Sequence, residues 1–85
     1  MNPMKPVKKK YLNLPVDELG LPTRPTNALK KINVFYVGEL VQLTDQDMRR
    51  IIGLGIPTYR KAQEILAGMG LSFGMIIEGF VRPKT

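Results

Sequence analysis

Three polar side chains stand three residues apart in Thr23-Arg24-Pro25-Thr26-Asn27-Ala28-Leu29-Lys30: Arg24, Asn27 and Lys30. In a helix opening at Thr23 they share one face, leaving Ala28, Leu29 and Ile32 to pack inward. A guanidinium, a carboxamide and an ammonium beside a free helix N-terminus can hold a phosphate or enter a nucleic-acid groove. Arginine suits narrow A·T-rich minor grooves, where the negative potential is enhanced. The Asn27 amide can address a groove-edge acceptor or an ordered water. A second group is Gly53-Leu54-Gly55, set between Arg49-Arg50-Ile51-Ile52 and Ile56-Pro57-Thr58. Glycine permits positive φ and close approach of backbone to another molecule. A helix starting directly afterwards turns its unpaired N–H groups and positive dipole end toward that turn, where a phosphate is the natural guest. Taken singly, the first spacing also fits a solvated polar face and the second a plain tight turn.

Other chemistries are excluded by composition. The 85 residues include no Cys, His or Trp. There is therefore no disulfide framework, thiolate nucleophile, imidazole base or common zinc ligand. Asp17 and Glu18 are neighbours in sequence, not a facing carboxylate pair, and no general base is evident. No catalytic residue, metal site or cofactor is expected, and the composition points to a binding module. The formal net charge is +6, from 13 Lys plus Arg against 7 Asp plus Glu. Residues 1–10 hold Lys5, Lys8, Lys9 and Lys10 with no acid, so most of the excess sits in one short segment. That segment reads as a solvated tail, or as a basic arm adding non-specific attraction to nucleic acid. No apolar stretch follows the lysines as in a secretory signal, and none approaches the ~20 residues of a membrane span. A soluble, monomeric, intracellular protein with no membrane partner is the expectation.

The elements that must position these groups are short, because Gly and Pro recur throughout. Residues 1–12 are expected as a flexible basic tail or linker, 13–80 as one helical domain and 81–85 as a C-terminal tail. Tyr11 to Pro22 reads as an irregular lead-in anchored by Leu12, Leu14, Val16, Leu19 and Leu21. Thr23 can cap the first helix, with Pro25 in its first turn and Asn33 as its stop. Val37 to Val41 forms one or two turns. Thr44 and Asp47 make a near-match to a capping box for the next helix. Pro57 opens the longest helix, roughly Thr58 to Ala67, in which Tyr59, Ala62, Ile65, Leu66 and Met69 keep a helical period, and Gly68 and Gly70 end it. No stretch alternates over five residues, so the fold class is all-α: a compact bundle of four to five short helices. The two helices around Gly53-Leu54-Gly55 look like a helix-hairpin-helix, whose backbone amides grip nucleic acid without reading sequence.

Pro15-Val16-Asp17-Glu18-Leu19, Arg24, and Asn27-Ala28-Leu29-Lys30 resemble the C-terminal domain of the bacterial RNA polymerase alpha subunit. So do Tyr36-Val37-Gly38-Glu39-Leu40-Val41-Gln42 and Gly70-Leu71-Ser72-Phe73-Gly74-Met75, and the likeness runs over about residues 15–80 without a gap. The resemblance implies a compact, SAM-domain-like helical fold with a helix-hairpin-helix-like element. It also implies a mechanism. Arg24 would enter the minor groove of A·T-rich upstream promoter DNA. Asn27 and Lys30 would hold neighbouring DNA-contacting positions, and Gly55 would bring its backbone to phosphate. Thr58 stands where the family often has a phosphate-binding serine. Asp17 and Glu18 would belong to the surface that meets activators or sigma factor. The implied setting is the bacterial cytoplasm, at the nucleoid, as part of RNA polymerase or recruited to it.

Departures from the family pattern temper this. Gly20 replaces an acid that contacts sigma factor in many members. Ile56 and Pro57 stand where charged phosphate contacts are usual, and Ile76 where a basic residue is common. Lys61 replaces a frequent acid and returns positive charge one turn into the same helix. The alternative is therefore a protein-interaction module of the same fold with weakened DNA binding. A generic helix-hairpin-helix repair module fits the turn but not the long match on both sides of it. The sequence is equally consistent with a piece of an alpha subunit and with a separate small protein.

Overall fold

A computed structural model describes residues 9–83; the lysines expected in a basic arm up to Lys8 lie outside the described residues. The helices are α1 (Lys9–Leu12), α2 (Thr23–Lys31), α3 (Val37–Leu40), α4 (Asp45–Arg49) and α5 (Ile56–Gly68), with a 3-10 turn at Val16–Leu19. The described residues contain no strand, only an isolated antiparallel bridge between Pro15 and Tyr36. The all-α bundle read from the sequence is the observed architecture. None of the described helices is long and apolar enough to cross a membrane.

Four of the five helices span nine residues or fewer. Helices that short are marginal in water and stand only through packing. The packing centres on Val16, Leu29, Val37, Leu40, Val41, Met48 and Leu66, all fully enclosed, with Leu12, Leu19, Val34, Leu54 and Leu71 closing around them. Each element donates one apolar stripe: Val37, Leu40 and Val41 from α3 and its end, Ala62 and Leu66 from α5. Leu12, an expected anchor, is buried in the helical turn α1, which packs on α3 and lies within the stretch read as a tail.

Local signals decide most ends. The Thr44–Asp47 capping box is present: the Asp47 amide donates to Thr44 Oγ1 at 3.1 Å, and the Thr44 amide to Asp47 Oδ2 at 3.0 Å. Asn33 stops α2 with φ 67°. Past α5, Gly70 takes φ 77° and the Leu71 amide donates back to the Leu66 carbonyl at 2.8 Å. Two expectations give way. Thr23 is the first helical residue rather than its cap, and no side chain caps α2; instead the Thr26 hydroxyl donates to the Pro22 carbonyl at 3.0 Å. Ile32, expected to face inward, follows the last turn of α2 and is 46% exposed.

The segment after α5 returns across α3. The Gly74 and Met75 amides donate to the Leu43 and Val41 carbonyls, both at 2.8 Å. Phe80 lies on Gly38, where an added methyl group would overlap the ring. Beyond it Arg82, in the stretch read as a tail, donates Nε to Glu39 Oε2 at 2.6 Å and Nη2 to Asn33 O and Oδ1 at 2.9 and 3.1 Å. Its guanidinium also sits 4.9 Å from the centre of the Phe35 ring. Glu39 Oε1 meanwhile accepts from the Phe35 and Tyr36 amides at 2.9 and 3.2 Å. Partial burial alone would raise the Glu39 carboxyl, but Arg82 and these two amides outweigh it and hold the pKa below the ordinary value.

A folded pKa below the unfolded one stabilises the protein above the unfolded value, and the benefit disappears as pH falls through the folded one. Asp47 acts in the same direction, lowered chiefly by the Thr44 amide. Stability should therefore fall as pH drops through and below the ordinary carboxylate range. Glu39→Gln should lower stability at neutral pH and flatten that acid limb, as thermal unfolding recorded across pH would show.

Candidate nucleic-acid interface

Helix α2 sorts its residues by face. Pro25, Thr26, Ala28 and Leu29 are buried, while Arg24 and Asn27 are exposed. Neither Arg24 nor Asn27 side chain makes a hydrogen bond or ion pair among the described residues, so both heads are available to a ligand. Lys30 differs. Its Nζ lies 2.7 Å from Asp17 Oδ1 and 2.9 Å from Oδ2, tying α2 to the 3-10 turn. Two residues expected in separate roles, one facing DNA and one facing protein, are thus partners. Glu18, next to Asp17, is exposed.

The hairpin between α4 and α5 is built around Leu54. Gly53 and Gly55 take φ 94° and 80°, values that disfavour any side chain, and Leu54 between them drops into the core at 4% exposure. The backbone on either side stays on the surface. Gly55 sits immediately before α5, and the amides of Gly55, Ile56 and Thr58 have no hydrogen-bond partner among the described residues. Pro57 supplies no amide, so the helix start offers fewer donors than its length suggests. Bracing comes from Tyr59, whose hydroxyl donates to Asp45 Oδ1 and whose ring stacks on Phe73 with centroids 5.2 Å apart. Thr58 is half-buried, and Lys61 is exposed on α5 without a partner among the described residues.

The hairpin and α2 are neighbours. A Cβ at Gly53 would lie 3.8 Å from the Ala28 Cβ, the residue after Asn27. A shallow groove of about 450 Å³ runs between them, lined in part by Ala28, Lys31, Ile32, Arg50 and Ile52. The structure thus brings the helix that carries Arg24, Asn27 and Lys30 beside the glycine turn, through its buried Ala28. Lys31 and Arg50 were not singled out from the sequence, although both add positive charge to this groove. Their residue type was visible; their placement depends on how α2 meets the hairpin.

The family model of the C-terminal domain of the bacterial RNA polymerase alpha chain matches residues 2–68. The chain belongs to this family. A solved alpha C-terminal domain, the NMR structure of that domain of the RNA polymerase alpha subunit from Helicobacter pylori, superimposes with a TM-score of 0.68. The two are 25% identical, and the match covers 87% of this chain and 74% of the other. This alpha C-terminal domain is accordingly a transcription-related domain of the bacterial polymerase type. Within it, the family match spans α1 to α5, including the α2 face and the glycine hairpin; the returning segment with Phe80 and Arg82 lies past its end.

Proposed function

We propose that this domain binds double-stranded DNA, placing Arg24 in an A·T-rich minor groove while Asn27, Lys30 and the amides around Gly55 hold its edge and phosphates. Thr58 and Lys61 would add a hydroxyl and a charge from α5. The domain has no catalytic step of its own; it would recruit or steady polymerase at upstream promoter DNA in the bacterial cytoplasm. Asp17 and Glu18 form the acidic turn on which an activator or sigma factor would dock.

One observation supports the DNA reading: among the described residues Arg24 and Asn27 are unpartnered on the exposed side of the helix whose buried Ala28 packs on Gly53, and the helix-start amides of that glycine hairpin are also unpartnered. Donors on two elements then meet the same ligand, and a polyanion is the ligand that wants many donors over an extended surface. The exposed Ile56 and the missing Pro57 amide favour modest affinity. Titration of the ¹⁵N-labelled chain with an A·T-rich duplex should move the amide signals of Arg24 to Lys30 and of Gly53 to Thr58, leaving Gly79 to Arg82 in place. Shifts confined to other elements would overturn the assignment.

A further inference from the structure

We infer that Asp17 sets the DNA affinity of this domain by competing with phosphate for the Lys30 ammonium, an inference that rests on the DNA-binding reading above. Both Asp17 oxygens lie within 2.9 Å of Nζ, so the cation spends its charge inside the protein. The side chains are 33% and 53% exposed, and a pair so open to water is weak and screened by salt. It can therefore be broken by a nearby phosphate, yet it must be broken before Lys30 contributes fully.

The carboxylate is the fixed member. The turn that carries it is pinned by Val16 and Leu19, both buried, and is closed by Gly20 at φ 77°. Lysine is the mobile member, a point charge on a flexible four-carbon stem. Lys30 thus has two addresses, Asp17 or DNA, and each lowers its availability to the other. Neutralising Asp17, as a docked cationic side chain would do, frees Lys30 for phosphate. The acidic turn and the α2 face are coupled through this one pair, and such coupling is reciprocal.

The test uses the full chain, an A·T-rich duplex and fluorescence anisotropy at several salt concentrations, with unfolding curves confirming that each variant is folded. Asp17→Asn should bind about two- to fivefold more tightly, with the slope of log affinity against log salt growing by about one. Glu18→Gln removes the same charge from the adjacent exposed residue and should change affinity far less. Lys30→Ala should abolish the gain, so that the double variant binds no better than Lys30→Ala alone. An unchanged Asp17→Asn overturns the inference. So does an equal gain in Glu18→Gln, or a gain that survives Lys30→Ala, since either would mean simple relief of repulsion. Failure of the parent chain to bind the duplex at all would instead overturn the DNA reading itself.

Discussion

Leu40→Ala is expected to lose ~3 kcal/mol of folding stability and to lower the melting temperature by on the order of 12–24 °C. Leu40 is fully enclosed on a four-residue helix that cannot stand by itself. Helix α3 is also the hub of the small core. α1 packs on it, Phe80 covers its Gly38, and Arg82 and the Phe35 and Tyr36 amides converge on its Glu39. Truncating Leu40 leaves a void that these neighbours can fill only by giving up their own geometry. A domain of this length has roughly 4–12 kcal/mol of stability in all, so the loss is a large share of it. Ile52→Ala, at a position 94% exposed, should stay within about 0.5 kcal/mol of the parent. Urea and thermal unfolding of the two variants measure the contrast; a comparable loss in both would mean that α3 is not the hub.

Arg24→Ala is expected to leave folding intact and to remove DNA affinity on the order of tenfold, about 1.4 kcal/mol, along with most of the preference for A·T. Arg24 is exposed and its head has no partner among the described residues, so its removal costs the fold nothing comparable to Leu40. On the proposed reading, its contribution to DNA would be of a different kind from that of Lys30 or the hairpin amides. Those groups would meet phosphate, which is the same in every sequence, whereas a guanidinium inside the minor groove would sense groove width and potential. The residual binding of the variant should therefore be weak, salt-sensitive and indifferent to base composition.

Much of the fold was legible because its signals are local. The Thr44–Asp47 cap, the Asn33 stop and the glycines around Leu54 each act within a few residues, and each appears where its spacing places it. The outward face of α2 was likewise legible from helical periodicity. What the sequence could not show depends on contacts between distant residues. Arg82 reaches back 43 residues to Glu39 and 49 to Asn33, and nothing in its own surroundings marks it as a clamp. Lys30 meets Asp17 across 13 residues, joining two surfaces that spacing alone treats as independent. Thr23 failed as a cap through a choice between equals: Pro22 and Thr23 both stand at the start of α2, and Thr26 took up the Pro22 carbonyl instead.

The most direct measurement of the central claim is a paired anisotropy titration of the parent chain and Arg24→Ala against A·T-rich and G·C-rich duplexes of equal length at one salt concentration. The parent should favour the A·T-rich duplex, and the variant should bind both weakly and alike. Equal binding of the two duplexes by the parent, or an A·T preference that survives in the variant, would contradict a minor-groove role for Arg24.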